Sequence, residues 1–561
     1  MKIQVSEVIV RFMERLGIKT IFGMPGAHIL PVYDALFDSG IEAVLAKHEQ
    51  GAAFMADGYA RISNQVGACI TTAGPGATNL VTGIANAYAD KRPVLIITGE
   101  TPTYIFGRGG LQESSGEGGS IEQQAIFQSI TRYFKLLERS DYLPNVLNQV
   151  IKTLYADEPG PAMISIPFNV QKEMVDSSIL DDISFPKIRK SLKAVTHLTT
   201  DADLEDFSKL FSASKHPVIV AGYGVILSGA QQSLAKLAER YNIPVTTSLK
   251  GKGAFDETHL LSLGSLGVTS SGHAYRYIRD HADMLIFLGA GFNERTSYLW
   301  NRDLLGHRSI VQIDHSHHQL EKVFKADLAI NRDINQALQQ IYLQLDKDAT
   351  EARSLIDLPV YLKKLDDAAR AERKTVFQPA FSLVENLFVK MAEQFPAGLT
   401  VFDDNVIFAQ NFLKVSVENH YFPNTGVSSL GHAIPAAIGA AFYQSEAVFA
   451  VIGDGGFQMC CMEIMTAVNY NKPLTIVLFN NQTMGLIRKN QAQQYGQRYY
   501  NCDFINPDYK QLAESFGINY FQANDVQQLE QFFAHADVKN NINLLEMNID
   551  KDAFPNYQSR R

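Results

Sequence analysis

Short apolar runs recur from end to end of the chain, separated by longer stretches in which apolar residues return at helical spacing. In the first third they read TIFGM at 20–24, EAVLA at 42–46, VGACITT at 66–72, PVLIIT at 93–98 and AMISIP at 162–167. Each is nearly unbroken in its hydrophobicity, as a strand covered on both faces must be. The alternation predicts parallel sheets with helices on both sides, an α/β fold of the doubly wound kind. A polar, charge-mixed stretch at 175–216, containing Pro186, interrupts the pattern. Beyond it PVIVAG at 217–222, PVTTS at 244–248, MLIFLG at 284–289 and SIVQID at 309–314 predict a second sheet. A charged stretch at 346–378 reads as a solvated helix or linker. After it LTVFDD at 399–404, AVFAVIGD at 447–454, LTIVLFNN at 474–481 and NLLEMNID at 543–550 predict a third. Three α/β domains follow, at 1–180, 190–345 and 370–561.

Composition narrows what such a chain does. With 561 residues, 46% apolar and 19% charged, it has a globular balance and is neither a disordered segment nor a single small binding module. Fifty Lys and Arg against 59 Asp and Glu leave a net charge of -9, without a basic run to follow a phosphate backbone, so no nucleic acid partner is expected. Cys69, Cys460, Cys461 and Cys502 are spaced neither as a disulfide framework nor as a metal knuckle, and they fit a reducing, cytoplasmic compartment. The opening MKIQVSEVIVRFMERLGI reads as an amphipathic helix interrupted by Glu7, Arg11, Glu14 and Arg15. No apolar run reaches the roughly 18 residues of a membrane span, so neither a signal peptide nor a membrane partner is expected.

The candidate chemistry gathers in VFAVIGDGGFQMCCMEIMTAVNY and the KPLTIVLFNN that follows. A buried strand delivers Asp454 to its carboxyl end, Gly455 and Gly456 permit a tight turn, and a helix is expected from about Gln458. The next strand ends at Asn480 and Asn481, so both polar ends meet at the edge where open α/β sheets hold ligands. A carboxylate and an amide oxygen on neighbouring strands suit a hard, octahedral Mg²⁺ bridged to phosphates. Taken singly, GDGG is also a plain strand-to-helix turn and NN a surface turn.

Together they resemble the diphosphate-binding motif of enzymes that use thiamine diphosphate. By that resemblance Asp454, Asn481 and the backbone carbonyl of Thr483 ligate the metal, while Gly455, Gly456 and Gly485 line the diphosphate. The motif requires a glutamate after a histidine in a pyrimidine-binding domain, and AKHEQGAAFMADGYAR supplies Glu49. TTAGPGATNLVTGIANAY follows, with Gly74, Pro75, Gly76 and Asn79 opening a helix. A carboxylate at the pyrimidine ring stabilises the imino tautomer whose nitrogen deprotonates the thiazolium carbon. Leu430, in SSLGHAIPAAIGAA, matches the bulky residue that holds the cofactor bent.

Over nearly the whole chain the motifs resemble the catalytic subunit of acetolactate (acetohydroxyacid) synthase: FGMPGAHILPVYDAL, HEQGAAFMADGYAR, LQES, KGKGAFDE, LGAGFNER, GDGGFQM and NNQTMG stand in that order. The resemblance makes Gln112 an active-site glutamine and Arg295 the guanidinium that holds the acceptor carboxylate. It implies decarboxylation of a 2-keto acid, most simply pyruvate, and transfer of the two-carbon unit to a second carbonyl. It also implies a site shared between subunits, hence a homodimer as the minimal active unit and a homotetramer built from two. Several positions depart from the family pattern. Ala27 and His28 replace two small residues, and His28 becomes a candidate proton relay. Leu111 replaces an aromatic, Asn490 a tryptophan that favours the larger acceptor 2-ketobutyrate, and Gly291 an arginine near the flavin site, which leaves FAD open. His432 is a further polar candidate beside the cofactor. The departures keep specialised relatives in view: a 2-keto acid decarboxylase, a sulfoacetaldehyde acetyltransferase, a carboxyethylarginine synthase or a diketone hydrolase. A non-catalytic binding protein on the same scaffold is the alternative of another class.

Overall fold

The computed structural model describes residues 1–185, 200–354, 356–371, 377 and 379–557. Pro186 and much of the first polar stretch lie outside the described residues, as does part of the second. After a short antiparallel pair, β1 (Lys2–Gln4) with β8 (Met174–Asp176), the strands form three six-stranded parallel sheets. The first holds β2 (Thr20–Gly23), β3 (Glu42–Leu45), β4 (Gly67–Thr71), β5 (Val94–Glu100), β6 (Tyr133–Leu136) and β7 (Ala162–Pro167), in the order β3-β2-β4-β5-β7-β6. The second holds β9 (Pro217–Ala221), β10 (Val245–Ser248), β11 (Ser262–Leu266), β12 (Met284–Leu288), β13 (Ser309–Asp314) and β14 (Leu328–Asn331), in the order β11-β10-β9-β12-β13-β14. The third holds β15 (Leu399–Asp403), β16 (His420–Pro423), β17 (Ala447–Gly453), β18 (Leu474–Asn480), β19 (Asn519–Gln522) and β20 (Ile542–Asn548), in the order β16-β15-β17-β18-β20-β19. The outer sheets thus repeat one topology, and each reverses its winding beside its first strand, which opens a crevice at the carboxyl ends of β2 and β4 and of β15 and β17.

Two expectations change at element ends. The N-terminal helix begins at Val5, because Lys2–Gln4 pairs with β8 instead. The helix of the GDGG motif begins at Asp454 rather than near Gln458: Gly455 and Gly456 take helical backbone, and Gly453 is the cap. An acidic residue in a first helical turn is favoured by the free N–H groups there.

The first and third domains share one core, whose centre is a pair of helices, Glu49–Ser63 and Ala433–Ala441. Both are rich in alanine and glycine, so their backbones meet directly. A Cβ on Gly58 would lie 2.1 Å from the Ala436 carbonyl oxygen, and one on Gly439 would lie 2.0 Å from that of Met55. Gly439→Val therefore cannot be absorbed by a rotamer change, and it is expected to destabilise the fold by at least about 3 kcal/mol. Thermal or urea unfolding against the native protein measures it; an unchanged midpoint would mean that the helices are free to part.

Charges cross the same junction. Asp57, fully buried, accepts from Arg61 Nε (2.9 Å) and Asn86 Nδ2 (3.1 Å), and lies 3.2 Å from His432 Nε2. Arg61 also bonds Asp90 (2.8 Å), which Lys250 of the second domain reaches in turn. Burial alone would raise the Asp57 carboxyl, but the Arg61 charge and the His432 contact hold it below its ordinary range. The candidate His432 thereby has a place in the domain junction, edge-on to Phe54 at 5.1 Å.

Candidate active site

The crevice of the first sheet collects Glu49, His28 and Gln112. Glu49 opens its helix behind the cap His48, whose Nδ1 accepts from the Gln50 N–H (3.1 Å). Asn79, just past the short helix Pro75–Thr78, donates Nδ2 to Glu49 Oε2 (3.0 Å). The other oxygen, Oε1, faces Gly76, where even a Cβ would stand 3.6 Å from it and only 2.4 Å from Thr71 Oγ1. Glycine at 76 thus keeps the floor beneath the carboxylate low.

Thr72, just beyond β4, connects this carboxylate region to the other two residues. Its Oγ1 donates to Gln112 Oε1 (3.3 Å) and accepts from the His28 N–H (3.4 Å), and His28 Nδ1 lies 3.3 Å from the same Gln112 oxygen. The Gln112 backbone is left-handed (φ 58°), and its neighbours hold it there. Glu113 accepts from the Gly107 and Gly110 N–H groups (2.6 and 2.9 Å), while Ser114 donates its N–H to Glu100 at the end of β5 (3.0 Å). Burial raises the Glu100 carboxyl, and bonds from Ser114 and Thr101 pull it back in part. Gly99 is obligatory beside it, since a Cβ there would be 2.2 Å from the His28 carbonyl oxygen.

The crevice of the third sheet holds the second half. Asp454 accepts from the N–H groups of Gly455 (3.0 Å), Asn481 (3.0 Å) and Gln482 (2.6 Å) and from Asn506 Nδ2 (2.8 Å). Burial raises its pKa, and these donors, Asn506 foremost, oppose the rise. Asn481 Oδ1 accepts from the Thr483 N–H (3.2 Å), and Thr483 Oγ1 is pinned to the Cys502 carbonyl (3.0 Å). Gly485 leaves room for Asn481, whose Nδ2 would stand 2.7 Å from a Cβ at that position. Half-buried Leu430 sits in the loop before helix Ala433–Ala441, next to Gly431, whose Cβ would be 3.7 Å from the Gly456 carbonyl oxygen.

A carboxylate just past β17 and an amide oxygen and a backbone carbonyl within three positions of the end of β18 form an all-oxygen donor set, which suits a hard divalent cation. Among the described residues no cluster of three or more His, Cys, Asp or Glu offers a competing metal site. Gly455 and Gly456 leave the start of the helix beside this donor set bare of side chains.

The matches to known families fall on these halves and the sheet between them. Residues 3–118 match the thiamine pyrophosphate enzyme N-terminal TPP binding domain, 204–341 the central domain, and 404–546 the C-terminal TPP binding domain. The chain is 33% identical to a probable acetolactate synthase large subunit of Methanocaldococcus jannaschii, over 98% of this chain and 93% of that one. This chain belongs to the thiamine pyrophosphate enzymes of the acetolactate synthase family. The acetolactate synthase large subunit of Lactococcus lactis is 31% identical over 93% of this chain and 89% of its own length. Isozyme 2 of Escherichia coli is 29% identical over 97% and 95%. Membership makes the chain a thiamine diphosphate-dependent enzyme, whose first and third domains are both of the TPP-binding type.

Among the described residues no hydrogen bond or ion pair joins Glu49 to Asp454, Asn481 or Thr483. Glu463, beyond the diphosphate helix, is instead tied to the chain just before Glu49, accepting from the Lys47 and His48 N–H groups (3.1 and 2.9 Å). Arg295 lies in a third place, on the loop after β12, where its charge acts on Asp403, Tyr421 and Tyr557. Sequence reading missed several residues that fix the site: Asn506, Asp404, Glu100 and Glu463. Asp404 carried the clearest signal, since it ends LTVFDD; it accepts from the Gly431 and His432 N–H groups (2.8 Å each) and anchors the Leu430 loop.

Proposed function

We propose that this enzyme decarboxylates pyruvate and joins the two-carbon unit to a second 2-keto acid, the acetolactate synthase reaction. Two pyruvate anions and a proton then give one acetolactate anion and one carbon dioxide, with no net transfer of electrons. The observation that carries the reading is the pairing of Glu49, fixed by Asn79, with an oxygen donor set at Asp454 and Asn481. Bound thiamine diphosphate would supply the electron sink for the departing carbon dioxide. Asp454, Asn481 and the Thr483 carbonyl would hold Mg²⁺ at its diphosphate. Glu49 Oε1 would hold a proton against the pyrimidine, while Asn79 keeps the other oxygen occupied. With its oxygen shared by Thr72 and His28, Gln112 offers its Nε2 donors to substrate, and the His28 imidazole is placed to move a proton beside it.

The active unit in this proposal is a homodimer, two of which make a tetramer, as the likeness to acetolactate synthase subunits implies. FAD stays open as a further cofactor: Gly291, where the family carries an arginine near the flavin site, is exposed and offers no guanidinium. Three of the four free cysteines are buried and none is paired, which supports a reducing cytoplasm. Among the described residues no helix is long and apolar enough to cross a membrane.

Incubation with thiamine diphosphate, Mg²⁺ and pyruvate, with products identified by mass spectrometry, tests the reading. Acetolactate is expected as the main product. With equal pyruvate and 2-ketobutyrate the larger acceptor should not dominate, since Asn490 provides no apolar shelf for the extra methylene, worth about 1–3 kcal/mol. Acetaldehyde alone, or no consumption of pyruvate, would overturn the assignment.

A further inference from the structure

The central sheet has the strand order of a dinucleotide-binding domain: β10 and β12 flank β9, and the winding reverses between β9 and β12. A nucleotide would lie at the carboxyl ends of those two strands, its phosphates on the turn that follows β9. GYG at 222–224 has glycines for such a turn, so a flavin dinucleotide has a defined place to sit. Most N–H groups of that turn are spent within the protein. The Gly222 N–H goes to the Leu288 carbonyl (2.8 Å), that of Gly224 to the Gly289 carbonyl (3.1 Å) and that of Val225 to the Gly222 carbonyl (3.2 Å). The helix there, Tyr223–Leu227, ends after five residues. The loops after β9 and β12 also touch, since a Cβ on Gly289 would lie 2.5 Å from the Gly224 Cα.

The first domain covers this edge. Arg92, buried just before β5, lays its guanidinium 4.6 Å from the ring centroid of Tyr223, and Tyr223 packs on the core shared by the first and third domains. Beyond β13, Ser316 Oγ donates to Glu158, which Lys91 (2.6 Å) and Arg132 (3.6 Å) hold from its own domain. Burial raises the Asp314 carboxyl at the end of β13, and the Glu158 charge adds to the rise. A diphosphate would thus bring further negative charge to an edge that already holds two carboxylates. The space left beside Tyr223, among Arg61, Asp90, Arg92, Lys250 and Tyr421, is a cavity of ≈ 30 Å³. That is room for about two waters, whereas a small-molecule cofactor takes about 300–1,000 Å³.

We propose that the first domain closes the dinucleotide crevice of the central domain, with Arg92 on Tyr223 and Glu158 on Ser316, so that this enzyme carries no FAD and fixes its central domain by protein contacts instead. Gly291 agrees with this. A Cβ there would meet nothing nearer than Gln319 Oε1 at 4.0 Å, so an arginine has room at that position but no anion to hold. The inference concerns the central domain alone and does not depend on which reaction the other two perform.

Dialysis of the native protein against FAD, and separately against ADP as the nucleotide half alone, tests the closure. Flavin absorbance and chromatography of the released ligand should show neither retained. Neither should raise the midpoint of thermal unfolding, as any ligand of the folded state does. Near-stoichiometric retention of FAD, or a midpoint that climbs with FAD concentration, overturns the proposal. Binding of ADP without FAD overturns it too, because the crevice would then be open. Arg92→Leu and the milder Ser316→Ala, which removes a single hydroxyl, test the contacts themselves. Each is expected to lower the midpoint of the central domain's transition by about 2–4 °C. Midpoints unchanged in both variants would mean that these contacts do not hold the domains together, and the closure would fail. FAD taken up by Arg92→Leu but refused by the native protein would identify Arg92 as the barrier.

Discussion

Replacing Asp454 by alanine is expected to abolish retention of thiamine diphosphate. The carboxylate is at once the proposed charged ligand of Mg²⁺ and the acceptor of four donors, from Gly455, Asn481, Gln482 and Asn506. Its loss removes the charge that balances the metal and releases the strand end that carries Asn481. Replacing a group that merely supports a metal ligand costs about 10- to 100-fold in affinity, so loss of the ligand itself should cost more than about 100-fold. Equilibrium dialysis of the purified variant against cofactor and Mg²⁺ measures it directly. Asp454→Asn keeps an acceptor for the Asn481 and Gln482 N–H groups and should remain folded while binding cofactor weakly. Cofactor retained at native stoichiometry by the alanine variant would place the diphosphate elsewhere.

Glu49→Gln leaves the fold intact and is expected to lower turnover of pyruvate by about 10²- to 10⁴-fold, the usual weight of a positioned acid–base group. Glutamine can still meet Asn79, but it cannot hold the exchangeable proton that the proposed role at the pyrimidine requires. The two variants together test the assembly. In a two-fold dimer with sites shared between chains, a mixed dimer of Glu49→Gln and Asp454→Ala has one site with both substitutions and one with neither. Mixing the two inactive proteins under conditions of subunit exchange, with ample cofactor, should restore activity. Demonstrated mixed dimers that stay inactive would show that each chain builds its site alone.

Strands covered on both faces were legible because burial leaves its mark along the run: β5, β7, β17 and β18 are buried over nearly their whole length and mostly apolar. Five strands absent from the pattern, β6, β11, β14, β16 and β19, lie at the edges of the six-stranded sheets, where short runs such as YFKL or NYFQ suffice. Glu49, Asp454 and Asn481 were legible because their chemistry is carried by contiguous motifs. Glu463 and Asn506 were not, since each acts through a partner far along the chain, and nothing in the local sequence of either announces the contact. The helix start at Asp454 was misplaced because two glycines read as a turn, whereas here they take helical backbone, and a Cβ at either would meet Met484 or Asp404.

The paired helices Glu49–Ser63 and Ala433–Ala441 bear on how the chain comes apart. At Gly58 and Gly439 their contact is backbone against backbone, flanked by Met55, Tyr59, Ile434 and Ile438 of the one shared core. The first and third domains, though separated by an entire domain in sequence, therefore form a single cooperative unit. Fragments cut between the sheets would expose the apolar, alanine- and glycine-rich faces of both helices and part His432 from Asp57, so neither fragment is expected to fold on its own. The central domain has a core of its own and tethers to that unit largely through polar contacts such as Lys250 with Asp90, so it is the part that can open first. Heating should accordingly melt two blocks rather than three, and the earlier one should leave the pyrimidine and diphosphate halves standing.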